Sequence, residues 1–440
     1  MGVKYFVDEN LIPKDGSREI ISKFNKEVDF DHNEIFIYPD VHYKRGARVV
    51  NGMLISSDKH VFPACLGVDN CGFTFGKINN TNELEVQTSF ENYSKLLKDY
   101  VAFENYSEEY MYDLFTKYLE IDFIKNSSLY NFLNIKTIDK AIKLAKNTLS
   151  DKIMALARQS LGSLGGGNHF FEIHGIIEIF EDNIVFNKGD YIFILHSDSV
   201  GVGDHINLLY SNLSEWFFLK GYEGFKKRFS FRFYQILCFA LRGLVSFETF
   251  KLLYSQTDYR TIKAYSRIGK SLIFAHNLAS LFGEMNRDLI IKNWAKTQNL
   301  DVKIISSFSH DGIRIENINR IVHRNGVQFL GDAKYFVLPS AMGGFSYIME
   351  NSFNKSAFYS SNHGVGRTQD KHIARENYNE KDTCMDLEEG RVKLYRVGAG
   401  SMAEQNKKAF KDTQSIIDSM NKYKLGKKIA RTKPIAIIKG

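Results

Sequence analysis

The chain has 440 residues, 44% hydrophobic and 25% charged, enough to bury a large core and ordinary for a soluble globular protein. Its four Cys include no CxxC pair, which argues against zinc-finger or thioredoxin-type chemistry, and its five Pro leave no Pro-rich linker. The net charge is +7, and Glu404 to Gly440 alone carry nine Lys and one Arg against three acids, a pattern suited to polyanions such as nucleic acid.

The opening "MGVKYFVDEN" lacks an apolar signal core, and the longest apolar stretch, "FYQILCFALRGLVSF", is broken by Arg242 and too short to cross a bilayer. These features predict a cytoplasmic chain with reduced thiols and no membrane partner. Residues 34 to 76 alternate apolar and polar side chains between Gly and Pro punctuation and read as strands and turns. Residues 89 to 160 read as helices, for example "DKAIKLAKNTLSDKIMALARQSL". Strand patterns follow in "HFFEIH" and "YIFILHSDS". Residues 204 to 300 read as aromatic-rich helix, and the aromatic residues of 216 to 254 read as core. Strands and glycine turns return over 303 to 366. The tail holds one helix, "DTQSIIDSMNKY", and a final strand, "KPIAIIKG". No internal repeat occurs. The pattern predicts a single α+β domain over residues 1–440, with mixed or antiparallel sheets around a central metal cleft and helices packed outside.

Residue types that bind metals recur in five clusters. "LGVDNCGF" offers Asp69 and Cys71, "GGGNHFFEIH" offers His169 and His174, and "LHSDSVGVGDH" offers His196 and Asp198. "SSFSHDG" offers His310 and Asp311, and "SNHGVGR" offers His363 with Arg367. Imidazole, carboxylate and one thiolate together suit Zn, Mn or Co, including a pair of ions sharing a ligand. In "HGVGR" the glycines permit close backbone approach, and Arg367 supplies a phosphate fork. A His in that setting is either a ligand or a nucleophile toward a phosphoryl group. If "NHFFEIH" is extended, Asn168, Phe170, Glu172 and His174 face one way, and His169, Phe171 and Ile173 the other. That parity puts a metal at His169 on the side opposite Asn168 and Glu172. The Glu172 carboxylate suits guanine, whose N1–H and N2–H₂ are both donors. Cys238 reads as core and Cys384 as surface, His60, His276 and His372 carry no partner pattern, and His205 after "GVGD" could line the site.

The segments "PDVHYKRGA", "GVDNCG", "SLGGGNHFFEI", "HSDSVGVG", "HRNG", "AMGGFSY", "HGVGR" and "IARTKPIAIIKG" occur in the order found in RtcB-type RNA-splicing ligases. The chain resembles that family from about residue 35 to its last residue. The resemblance implies a GTP- and Mn²⁺-dependent ligase that joins an RNA 3′-phosphate or 2′,3′-cyclic phosphate end to a 5′-hydroxyl end. It implies His363 as the guanylylated nucleophile. It implies Asp69, Cys71, His169, His196 and His310 as ligands of two manganese ions, with Cys71 bridging. It further implies Asn168, Glu172, Ser346, Phe410 and Lys439 around the guanylate and Arg367 on phosphate. Arg45, Arg48 and Arg324 would draw in RNA, and a helper protein is a further possible partner.

The chain departs from the family pattern in several places. One residue, Asn70, separates Asp69 from Cys71 where the family has two. Asp198 and Val200 replace a Gly and an Arg, so one phosphate-binding cation is missing, and Asp198 offers a further ligand. Asp311 stands for Asn and Asn325 for Lys. Ser340 to Gly343 vary a Gly-Ser-Met-Gly stretch, and Phe410 stands for a Tyr. The lost cations keep two alternatives open: a metal-dependent RNA 3′-end phosphoesterase, and a non-catalytic RNA-binding relative.

Overall fold

The computed structural model describes residues 2–27, 32–45, 49–65, 70–98, 106–149, 151–182, 184–199, 201–204, 206, 261–316 and 320–440. The expected positions Arg48, Asp69, Val200, His205 and Cys238, and the aromatic stretch 216–254, lie outside them.

Two sheets carry the site. The larger has eight strands, and seven of them run in the order Tyr335–Leu338, Ser346–Glu350, Lys427–Lys439, Phe170–Ile179, Tyr191–Ser197, Gly72–Asn79, Asp301–Ser309. Neighbours along this path are antiparallel, and Lys393–Arg396 adds a parallel partner to Lys427–Lys439. The smaller sheet orders Lys4–Tyr5, Asn33–His42, Asn51–Ser57, Arg320–Asn325 and Asp311–Glu316. Asp301–Ser309 belongs to one sheet and Asp311–Glu316 to the other, so His310 sits at the step between them. The tail strand begins at Lys427, earlier than its apolar run suggests, because Ile429 and Ala430 are already buried in the sheet.

The central brace is the 32-residue helix Arg267–Gln298. Ser266 caps its start through the Gly269 N–H, and Asn299 ends it in the left-handed conformation (φ 51°). Its apolar residues run almost all round the axis, as a helix buried on several sides requires. It packs on strands of both sheets and is itself covered by the helices Glu83–Lys98, Glu108–Lys125 and Ile138–Thr148. The helices are therefore layered outside the sheets, and the long one lies directly against them.

Two polar residues of this helix fix the strand ends that carry the site. Asn286 accepts from Gly162 N–H (2.7 Å) and donates to Ser197 Oγ (3.0 Å) and the Ser163 carbonyl (3.1 Å). Buried Arg287 donates to Thr74 Oγ1 (3.2 Å). Burial lowers its pKa, while Glu284, Asp288, Cys71 and Asp198 act in the other direction. Satisfying a buried guanidinium this way ties the helix to the sheet.

Candidate metal and phosphate site

One cleft of about 300 Å³ opens where the strand ends meet, with Cys71, Glu172, His196, His310, His363 and Arg367 among its lining residues. Cys71 immediately precedes the strand Gly72–Asn79, whose neighbours bring His196 (opposite Phe73) and Ser309 (opposite Gly72) to the same edge. Asn70, the single residue before Cys71, takes the left-handed conformation at φ 50°. Its amide donates to Ser280 Oγ at 3.1 Å, which holds this short connection against the long helix.

Cys71 Sγ lies 3.3 Å from His169 Nε2. His196 Nδ1–H donates to the Asn168 carbonyl (3.3 Å), so its Nε2 carries the lone pair, and that atom lies 3.0 Å from His310 Nε2. His310 Nδ1 faces Asp311 Oδ2 at 3.2 Å. Burial, then His169 and His310, push the His196 pKa well below its ordinary value, which keeps the ring a neutral ligand. Among the described residues two groups are spaced to hold a metal: Cys71, His169 and His196, and Cys71, His310 and Asp311. The Cys71 thiol is common to both groups. A buried set of imidazole, thiolate and carboxylate donors fits a divalent transition metal.

The parity expectation is corrected here. The strand starts at Phe170, so strict alternation does not reach Asn168 or His169. The His169 ring stands 5.1 Å from His196, and Phe170 5.5 Å from the same ring. The expected metal ligand thus shares the Phe170 and Glu172 side instead of opposing it. The glycines before it have a steric reason: Gly165 has φ 77°, and a Cβ there would sit 2.7 Å from His169 Nδ1.

His363 lies beside this cluster, its ring 5.0 Å from His310. Asp40 Oδ2 accepts both His363 Nδ1–H (2.6 Å) and the His363 backbone N–H (3.0 Å). Burial alone would lower the His363 pKa. The hydrogen bond and charge of Asp40, with Asp311 and the Gly326 carbonyl, outweigh it and hold the value above the ordinary one. Asp40 lies in an irregular segment of the strand Asn33–His42, between the pairs Ile37↔Met53 and His42↔Asn51. Lys411 Nζ spans that segment, donating to the Pro39 (2.9 Å) and Val41 carbonyls. Burial lowers the Lys411 pKa to about 7. Neutral His42 stacks on His363 at 6.2 Å.

Basic residues also line the cleft. Arg367 stacks on Phe410 (4.3 Å) and donates to the Glu404 carbonyl (2.8 Å), and burial lowers its pKa to about 10. Lys44, Arg45 and Lys371 also line the cleft. Arg324 does not: it is buried, bonded to Glu316 (2.6 Å), Ser360 (3.0 Å) and the Phe358 carbonyl (3.0 Å), so the expected RNA contact there is corrected to a core ion pair.

The remaining expected residues separate into two sets. Asn168, Glu172 and Phe410 line the cleft. Ser346 and Lys439 are buried and are not among its lining residues. Ser346 Oγ accepts from Ser340 N–H (3.1 Å), and Lys439 Nζ donates to the carbonyls of Gly167, His169 (3.0 Å) and Gly440 (2.9 Å). Sequence reasoning overlooked Asp40, His42, Lys44 and Lys371. The first three stand within "PDVHYKRGA" beside Arg45, which the sequence did single out.

The fold and cleft define a mixed α+β protein whose described residues gather a buried His/Cys/Asp cluster spaced to hold a metal, a histidine–aspartate pair and several basic side chains at one cleft. The chain belongs to the RtcB family: the family model described as tRNA-splicing ligase RtcB matches residues 26–440. It is similar to the tRNA-splicing ligase RtcB of Methanococcus maripaludis, 24% identical over 336 residues, 70% of this chain and 66% of the relative. It is also similar to that of Methanocaldococcus jannaschii, 23% identical over 318 residues, 66% of this chain and 31% of the relative. The RNA-splicing ligase RtcB of Mycobacterium tuberculosis is 20% identical over 325 residues, 66% of this chain and 67% of the relative. The chain thus spans about a third to two thirds of the length of these relatives. Among the described residues, no helix is long and apolar enough to cross a membrane.

Proposed function

We propose that the chain is a GTP- and Mn²⁺-dependent RNA ligase acting in the cytoplasm. It joins RNA 3′-phosphate or 2′,3′-cyclic phosphate ends to 5′-hydroxyl ends through a guanylylated His363. The observation that carries this reading is the His363–Asp40 pair opening onto the same cleft as the two ligand groups that share Cys71. Family membership and the relatives' names support it.

In this reading Asp40 holds the Nδ1 proton and leaves Nε2 to attack the α-phosphorus of GTP. A nitrogen–phosphorus bond forms as the bond to pyrophosphate breaks. An oxygen of the RNA 3′-phosphate then displaces His363 from that phosphorus, and the 5′-hydroxyl attacks the activated 3′-phosphate and releases GMP. Cyclic ends are first opened to the 3′-phosphate. Arg367, Lys371, Lys44 and Arg45 bind the phosphates. Asn168, Glu172 and Phe410 hold the guanylate directly. Ser346 and Lys439 act through the backbone they secure, at Ser340 and at residues 167 to 169. Cys71, His169, His196 and His310 hold the metal pair, with Asp69 as a proposed ligand and Asp311 beside it. When bound, the ions supply Lewis-acid stabilisation of the attacked phosphate and the leaving pyrophosphate.

The test is incubation with α-labelled GTP and MnCl₂, denaturation, and detection of acid-labile label on the chain, with His363→Ala alongside. Label that disappears in the variant is the expected result. A folded, Mn²⁺-binding chain that takes no label and trims RNA 3′-phosphates without GTP would replace this reading with the phosphoesterase.

A further inference from the structure

The buried residue His174 has no part in the reaction just described, yet its partners lead straight to the cleft. Its Nε2 lies 2.9 Å from Glu172 Oε2, and its Nδ1 lies 3.1 Å from Thr432 Oγ1. Thr432 Oγ1 in turn donates to the Ser346 carbonyl at 3.1 Å. These groups come from three adjacent strands, Phe170–Ile179, Lys427–Lys439 and Ser346–Glu350. His174 and Thr432 are fully buried, while Glu172 reaches the cleft wall.

The direction of each bond follows from the acceptor at the far end. A carbonyl only accepts, so the Thr432 hydroxyl proton goes to Ser346 O. Thr432 Oγ1 then accepts, and His174 Nδ1 donates to it. His174 Nε2 in turn lies against Glu172 Oε2 at 2.9 Å. One lone pair of Oε2 is committed to His174, and the plane of the carboxyl is fixed. Oε1 and the other lone pair of Oε2 remain for a ligand. A buried carboxyl held this way keeps a hydrogen-bond partner when the cleft is empty.

We infer that His174 is a positioning residue for base selection: through the Ser346–Thr432–His174 chain it holds Glu172 as a paired acceptor for two adjacent N–H donors, the edge that guanine presents and adenine lacks. This rests on the reading of Glu172 as part of the guanylate pocket. A pocket built to hydrogen-bond a ligand's donors rejects analogues without them, because its own buried groups are then left unpaired. Without His174, the Glu172 carboxyl loses the bond that fixes its plane and no longer presents two acceptor atoms in one set orientation.

The experiment is calorimetric titration of the Mn²⁺-loaded chain with GMP, IMP and AMP, which cannot release pyrophosphate and so report binding alone. The proteins are the wild type, His174→Leu, His174→Gln and Thr432→Val. The wild type is expected to prefer GMP over AMP, with IMP between. His174→Leu is expected to lose ~10-fold or more of the GMP preference with AMP affinity unchanged, as a lost buried pairing predicts. His174→Gln, whose amide donates to Glu172, is expected to recover part of it. Should His174→Leu not fold, Thr432→Val carries the test, with a smaller loss in the same direction. A folded His174→Leu that discriminates the three nucleotides like the wild type overturns the inference and leaves the guanylate pocket standing. A wild type that binds all three equally overturns both.

Discussion

His196 Nε2 and His310 Nε2 meet at 3.0 Å although their strands are separated in sequence by more than a hundred residues. Two imidazole nitrogens in a buried space, with the opposite nitrogens engaged by Asn168 O and Asp311, direct their lone pairs at a common point. Together with the shared Cys71, this sets the order in which metal sites are lost. Equilibrium dialysis with Mn²⁺ and elemental analysis should find two ions per wild-type chain, about one in His169→Ala, and none held tightly in Cys71→Ala. Saturating Mn²⁺ should raise the wild-type thermal midpoint, each site contributing about 2.7 kcal/mol at a hundredfold excess over its Kd. Equal stoichiometry in wild type and Cys71→Ala would mean the thiol bridges nothing.

Asp40 acts on His363 through a single oxygen that accepts both the ring and the backbone N–H. Asp40→Asn keeps the size but presents the imidazole with the wrong tautomer when its amide nitrogen takes that place. Guanylylation by α-labelled GTP should slow by roughly two to four orders of magnitude, the range seen when a nucleophilic or basic His loses its orienting carboxylate. GMP affinity should change little. A variant that labels at the wild-type rate would remove Asp40 from the mechanism.

Most of the described fold was already legible in the sequence. Alternating patterns marked the strands at Phe170 and Tyr191, and the helix Thr413–Lys422 lies where its pattern predicts. Local periodicity could not tell that Asn168 and His169 precede their strand, because parity depends on where pairing begins. Nor could it separate a surface arginine from Arg324, whose carboxylate partner Glu316 lies on the neighbouring strand. Asp40 became visible only when a segment more than three hundred residues away met it at His363, and Lys371 when its neighbour Asp370 accepted the Arg45 N–H and brought that turn to the cleft. Side chains that touch across such distances leave no period in the sequence.

His276 gives the chain an acid sensitivity unrelated to catalysis. It is fully buried in the long helix, and neither ring nitrogen has a hydrogen-bond partner among the described residues. Burial lowers its pKa to about 3, with a smaller contribution from His323. The unfolded chain takes up a proton near the ordinary value of about 6.5, while the folded chain does not. Stability is therefore full above that value and falls as the pH drops toward 3, by at most about 1.4 kcal/mol per pH unit. His276→Leu removes the titration without removing a hydrogen bond. Its thermal midpoint should match the wild type near pH 7.5 and exceed it near pH 5. Parallel pH profiles for the two proteins would show that the ring is protonated or solvated in the fold.

Gly366 joins backbone sterics to the support of His363, the proposed nucleophile. Its φ is 74°, and a Cβ there would lie 2.3 Å from the Asp40 carbonyl oxygen. The Lys411 N–H donates to the Gly366 carbonyl (3.1 Å) while its side chain holds Pro39 and Val41 on either side of Asp40. Alanine at 366 must therefore push on the one segment that carries Asp40. The left-handed conformation and the clash together should cost about 1–3 kcal/mol in a denaturation midpoint comparison. The displacement of Asp40 should lower guanylylation beyond what the lost stability explains. The check is the labelling rate at a temperature where wild type and Gly366→Ala are both fully folded. A normal rate there, with the midpoint lowered, would confine Gly366 to a structural role and leave the orientation of His363 to Asp40 and Lys411 alone.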